Sequence, residues 1–212
     1  MVITDLDAFI RRRTTEITLR DGARVRIRPI MPSDKDGLAQ AVERASPELR
    51  YRRFMAPIHR LTEAQLRYLT EIDYVDHFAW LAIAADEPDE PGIGVARYVR
   101  LADEHDAAEA AVAVLDAYQR RGLGTLLLEA LALRATQNGI KRFRGTALAT
   151  NSQILDLLTA FGAVFSPPSG GEIAFELELP SRIEELRASP LYEALRAAAR
   201  APEPVFRHPP HH

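Results

Sequence analysis

The chain is predicted to adopt an α/β fold, on three observations. Apolar stretches with strand character recur at 25–30, 78–84, 93–99, 108–115, 142–148, 163–165 and 172–179. Segments opened by helix-capping residues lie between the first two and then alternate with later ones. A tight glycine turn, Gln119-Arg120-Arg121-Gly122-Leu123-Gly124, joins the run Val112-Ala113-Val114-Leu115 to a leucine-rich helix. The order is therefore strand, helices, three strands, helix, strand, helix, two strands.

Met1 to Asp21 reads as a polar lead-in, and its Arg11-Arg12-Arg13 run as the solvated end of a helix. Asp21-Gly22 turns the chain into Val25-Arg26-Ile27-Arg28-Pro29-Ile30, whose alternation marks a half-buried strand. Pro29 has no N–H to give a ladder, which places it at an edge or a strand end. Ser33 is the expected N-cap of a helix over 34–44, Ser46 with Pro47 opens a second, and Thr62 with Gln65 forms a capping box for a third. The acidic, proline-containing link at 86–92 makes a hairpin of its two flanking strands. The helix from Leu123 ends at Gly139, and the next is capped by Asn151 and stopped by Gly162. Strict alternation over 172–179 predicts a strand with one wet face. An amphipathic helix over 182–200 and a proline-rich, disordered tail close the chain. The domain boundaries follow: an extension at 1–21, one domain at 22–180, and the terminal helix and tail at 181–212.

At 212 residues, 47% of them hydrophobic, the chain suffices for one full core. Its net charge of −3 argues against a nucleic-acid binder held by a general basic surface. Without cysteine it has no disulfide, no thiol nucleophile and no Cys-ligated zinc. No metal site is expected; His208, His211 and His212 read as part of a tail. No apolar stretch is long enough for a bilayer, and 1–13 has no signal-peptide pattern. A cytoplasmic protein is the expectation.

The glycine turn carries the chemistry. Glycines remove side chains where a ligand must approach main chain, and a helix start offers unpaired N–H groups at the positive end of its dipole. The result is an anion cradle, with Arg120 and Arg121 in it. It is neither the nucleoside-triphosphate loop with Lys-Ser/Thr nor the three-glycine dinucleotide turn. The spacing Gln/Arg-x-x-Gly-x-Gly/Ala resembles the acyl-CoA loop of the GNAT superfamily of N-acetyltransferases, and with the element order the resemblance extends from about Arg24 to Leu179. It implies a mixed, largely antiparallel sheet of six to seven strands flanked by helices, here with an extra C-terminal helix. It also implies acetyl-CoA as co-substrate, its pantetheine along Val112, Ala113 and Val114, and its pyrophosphate wrapped by Gln119, Arg120, Arg121, Gly122, Leu123, Gly124 and Thr125. Asn151 matches an asparagine that touches the cofactor in many members; an N-cap role is compatible with that.

Acetyl transfer to an amine needs a base, because a lysine with pKa near 10.4 is free amine only on the order of one part in a thousand at neutral pH. Glu109 is the candidate, on the strand leading to the loop. It is flanked by the small, apolar Ala107, Ala108, Ala110 and Ala111, which would favour a base if the site is buried; an exposed strand glutamate is the plainer reading. Two family patterns are absent: Thr146 stands where ribosomal-protein N-terminal acetyltransferases have a basic glutamate, and Leu158 where many members have a proton-donating tyrosine. A narrower resemblance rests on Ser46-Pro47-Glu48-Leu49-Arg50-Tyr51-Arg52-Arg53-Phe54, Asp73-Tyr74-Val75-Asp76-His77, Gly94-Val95-Ala96-Arg97-Tyr98 and Ala108-Glu109. These look like the acetyltransferase domain of bacterial Pat-type protein lysine acetyltransferases. That implies a glutamate base on this strand and a protein substrate, an acyl-CoA synthetase being a candidate. Mycobacterial members carry a preceding cyclic-nucleotide domain, for which 1–21 has no room, so such control is not expected.

Arg50, Arg52 and Arg53 on one helix could gate an acidic substrate, but a solvated face beside Glu48 is the favoured reading, and a hydrogen-bonded loop histidine is favoured over a proton shuttle for His77 with Asp76. Leu186, Leu191 and Leu195 of the terminal helix need cover, which either a homodimer or folding back onto its own domain would give. Two other readings stay open: an acyl-CoA-binding module without turnover, and a nucleotide-binding regulator using the same cradle. Within the enzyme class, a small-molecule amine is the alternative acceptor.

Overall fold

The computed structural model describes residues 5–180. Helix α1 (Leu6–Arg12) is capped by Asp5, whose carboxylate accepts the Ala8 N–H at 2.8 Å, and leads into β1 (Thr15–Thr18). The turn at Gly22, with φ +89°, returns the chain as β2 (Arg24–Pro29). Three helices follow: α2 (Lys35–Arg44), α3 (Pro47–Phe54) and α4 (Glu63–Thr70). Ser46 caps α3 by accepting the Leu49 N–H, and the Thr62–Gln65 box opens α4. The hairpin of β3 (His77–Ala84) and β4 (Gly92–Arg100) continues into β5 (Ala107–Val114). Then come α5 (Leu123–Gln137), β6 (Arg142–Leu148), α6 (Ser152–Ala160), β7 (Val164–Phe165) and β8 (Glu172–Glu178).

The eight strands form one sheet in the order β1-β2-β3-β4-β5-β6-β8-β7, and only β5–β6 pair parallel. This is the anticipated GNAT fold with more strands than six to seven. The addition comes mainly from the stretch set apart as an extension: β1 pairs with β2 from Thr15↔Ile27 to Thr18↔Arg24. Phe9, Ile10 and Leu19 lie in the core. Few apolar residues spread over a polar stretch escape a periodicity reading, yet all three are inward-facing. Ser33 is not the cap of α2. It lies in a 3-10 turn, and the helix starts after Asp34, whose carboxylate accepts the Met31 N–H at 2.8 Å and holds Arg28 at 2.6 Å. Pro29 ends β2, an interior strand. The helix expected over 182–200, with its dimer leucines, and the tail lie outside the described residues.

Helix α5 is apolar almost all round because it is covered almost all round. It packs on β3, β4 and β5, with Leu123, Leu127, Leu128 and Leu131 at 2% exposure or less; each such leucine contributes about 1.5–3 kcal/mol of burial. Among the described residues no helix is long and apolar enough to cross a membrane.

One irregularity organises the molecule. β5 and β6 pair only at Ala107↔Arg142, Ala108↔Phe143 and Glu109↔Arg144, and then part. Gly145 sits at the parting, where an added Cβ would stand 2.7 Å from the Phe175 ring and 3.2 Å from the Ala110 carbonyl oxygen. Beyond it the β6-facing edge of β5 has no strand partner.

Candidate active site

The wedge between β5 and β6 opens a cleft of about 1140 Å³. Its lining includes Glu109, Val112, Ala113, Val114, Gln119, Arg120, Gly122, Gly124, Thr125 and Asn151, so the structure brings most of the predicted site residues together.

At one end lies the glycine turn. Gly122, at φ +85°, is the N-cap of α5 and supplies the left-handed turn that a side chain would strain. Among the described residues, none of the backbone N–H groups of residues 120–125 has a hydrogen-bond partner. Arg120 holds φ +61°, a strained position for a non-glycine residue. The Gln119 side-chain amide donates to the Val114 carbonyl at 3.0 Å, tying the turn to the end of β5. Two predicted side chains point elsewhere. Arg121 pairs with Asp21 at 2.9 Å and lies over the Tyr118 ring, and Leu123 is buried in the core at 1% exposure. Neither of these two residues lines the cleft. Asn151 does cap α6, its Oδ1 accepting the Ile154 N–H at 3.5 Å, and it also lines the cleft.

At the other end stands Glu109. It is the exposed strand glutamate of the plainer reading: Ala107 and Ala108 before it are buried, and Glu109 is exposed on the cleft. Thr146 and Leu158 also line the cleft, Leu158 almost fully buried, so neither supplies a proton donor or acceptor equivalent to the missing family residues.

The three arginines of α3 have separate fates. Arg52 pairs with Glu48 at 2.5 Å as a surface residue would, and Arg50 donates to the Ala45 carbonyl at 2.7 Å, closing the end of α2. Arg53 departs from the solvated-face reading. It is half-buried on the cleft wall, its guanidinium basicity lowered by burial and partly restored by the charge of Glu109. Behind it, Arg97 on β4 is 5% exposed. Its Nη1 lies 2.6 Å from His77 Nε2, and its Nη2 donates to the Leu69 carbonyl at 2.9 Å. The clue in the sequence was an arginine interrupting an apolar central strand.

A guanidinium only donates, so His77 Nε2 must accept, and the imidazole is neutral. Burial first, and the Arg97 charge second, push His77 down to about 4 from 6.5. A folded-state value below the unfolded one contributes stability that is present above the unfolded value and is lost as pH falls from 6.5 toward 4. Relative to the His77→Gln variant, which keeps an acceptor without the titration, the wild type should lose about 2–3 kcal/mol across that window. Urea unfolding of both proteins at pH 7 and pH 4.5 measures the difference; parallel losses would remove His77 from the account.

Comparison with known proteins agrees with this geometry. The Acetyltransferase (GNAT) domain family matches residues 24–164. Acetyltransferase Pat of Mycolicibacterium smegmatis is 34% identical over 164 residues, covering 77% of this chain and 48% of Pat, so the chain spans about half the length of that relative. Acetyltransferase PA5475 of Pseudomonas aeruginosa is 33% identical over 147 residues, covering 69% of this chain and 78% of that protein. The crystal structure of the GNAT domain of S. lividans PAT superposes with a TM-score of 0.71 at 32% identity, covering 78% of this chain and 97% of that one. A cleft opened by parting strands, a helix start with free amides at its mouth and these similarities make one conclusion: the chain belongs to the GNAT acetyltransferases, which are acyl-CoA N-acyltransferases.

Proposed function

We propose that this chain transfers the acetyl group of acetyl-CoA to a primary amine, foremost a lysine side chain on a protein, by direct attack with Glu109 as general base. The supporting observation is the layout of the cleft. Unpartnered amides of residues 120–125 lie at one end, an unpaired strand edge at 112–114 runs between, and Glu109 stands near the other. Pyrophosphate suits the amides, and the amide-rich pantetheine suits the strand edge. The amine nitrogen attacks the thioester carbonyl carbon, and Glu109 takes the proton directly or through water. Collapse of the tetrahedral adduct breaks the C–S bond. The thiolate departs without a tyrosine donor, which a thiol pKa of about 8.5 tolerates.

The protein acceptor rests on the resemblance to Pat-type protein lysine acetyltransferases drawn from the sequence. Incubation with acetyl-CoA and candidate proteins, an acyl-CoA synthetase among them, followed by intact-mass and peptide mapping, is the test. Acetyl-lysine formed in proportion to enzyme supports the reading. Acetylation of small amines alone moves the acceptor class, and CoA binding with no product in either panel favours a non-catalytic acyl-CoA module. That second reading draws on Leu158, which removes a proton donor from the cleft.

Gly124 separates binding from folding. A Cβ there would meet only Leu157 at 3.7 Å, an ordinary contact, but it would stand in the cleft that both residues line. Gly124→Ala should keep or slightly raise the melting temperature, since alanine favours a helix, while weakening CoA about tenfold by calorimetry. Unchanged affinity would place the pyrophosphate elsewhere.

A further inference from the structure

A second cavity, of about 160 Å³, lies against β3 and β4 under α2 and α3. Leu38, Val42, Phe54, Leu69, Leu81 and Val95 give it an apolar lining. It adjoins the cleft, because Leu49, Arg53 and Ala113 line both. Most charged groups at its wall are already matched: Arg28 with Asp34 at 2.6 Å, Glu90 with Arg26 at 2.5 Å, and Arg50 with backbone carbonyls. Arg53 and Arg97 are the exceptions. Among the described residues neither has a carboxylate within ion-pair distance. Arg97 Nε is buried and has no hydrogen-bond partner at all.

Two cations are thus held close enough to repel each other, in a setting where an uncompensated charge is costly. Burial and the Arg53 charge bring Arg97 down to about 9, so it is still cationic at neutral pH. His77, which could have been a neutralising neighbour only as an anion, offers a lone pair and no charge. Glu109 is the nearby negative charge that Arg53 feels, and what the two guanidiniums lack is a carboxylate close enough to pair with them.

We propose that Arg53 and Arg97 form a carboxylate subsite, filled by an acidic group that the amine acceptor itself carries. The register places this subsite beside the base. Arg97 pairs with Ala111 and Val99 with Glu109, so Arg97 and Glu109 are diagonal neighbours on one face of the β4–β5 ladder. An acceptor whose nitrogen is at Glu109 would reach the two guanidiniums with a carboxylate a few bonds away, its carbon chain against the apolar wall. Arginine suits this role, since its planar fork takes both oxygens of a carboxylate. The proposal deepens the amine-acetylation reading by naming the chemical class of the acceptor.

Binding and transfer are tested separately, so that one can fail without the other. With the enzyme saturated in CoA, isovalerate should raise the melting temperature and its uncharged isostere isovaleramide should not. The rise should vanish in Arg97→Met, or in Arg53→Met if the first variant does not fold. No difference between acid and amide, or a rise that survives in the folding variants, overturns the subsite. For transfer, two probe pairs are compared: 5-aminovalerate against its amide, and lysine peptides with glutamate or glutamine beside the lysine. A KM about tenfold lower for the acid member of one pair, lost in Arg53→Met, supports an acceptor carboxylate and identifies its source. Transfer to both pairs without preference overturns it. A thermal rise with isovalerate and no transfer to any probe leaves the subsite standing and removes the acetylation reading.

Discussion

Glu109→Gln should lower kcat/KM for acetyl transfer by about 10²–10⁴-fold and leave CoA affinity essentially unchanged. Glutamine keeps the shape and the hydrogen-bonding reach of glutamate but cannot accept a proton. Glu109 is exposed, so the exchange leaves no cavity, and its backbone is held from both sides by pairing with Val99 and Arg144. The loss should therefore appear in chemistry and not in folding. Without a base, the variant depends on amine already deprotonated in solution. Its rate should climb with pH toward the amine's own value, while the wild type is less steep. A pH series of initial rates, with CoA binding by calorimetry alongside, tests both parts. Undiminished rates in the variant would remove Glu109 from the reaction and direct attention to the other cleft carboxylates, such as Asp156 and Glu176.

The largest stability loss proposed here is at Gly145. This residue pairs with Phe175 of β8 on one side and approaches the Ala110 carbonyl of β5 on the other. Phe175 is 8% exposed and packed in the core, so its ring cannot swing away cheaply from a Cβ at 2.7 Å. Gly145→Val adds two methyl groups to that conflict and should cost about 3 kcal/mol, at the upper end for overpacking. Urea unfolding measures it. Because the same bulk presses on the point where β5 and β6 separate, CoA affinity should fall as well. A variant as stable as the wild type would mean that the two strands can spread further at no cost.

The fold was largely legible because its signals are local. Caps at Ser46, Thr62 and Asn151, and the glycine stops at 139 and 162, act within one turn of the chain and stand where the sequence placed them. The glycine turn was legible for the same reason. What escaped depended on distant partners. β1 has four residues and earns its place only by pairing with β2. Ser33 falls inside a 3-10 turn that the Asp34 carboxylate, held by Arg28, closes by accepting the Met31 N–H, so α2 starts after Asp34 without a side-chain cap. Arg53 and Arg97 come from α3 and β4, and nothing in either segment says that they meet.

The pairing of Arg121 with Asp21 gives the first residues of the chain a stake in the reaction cleft. A recombinant fragment beginning at Arg24, where the family similarity starts, would strip Phe9, Ile10 and Leu19 from the interior and bare the outer border of β2. Exposed borders recruit other chains, so such a fragment should be prone to self-association. It would also lack the carboxylate that anchors one flank of the glycine turn. Trimming to the start of the family match would therefore harm solubility and ligand affinity together, through a part of the molecule that contains no reacting group.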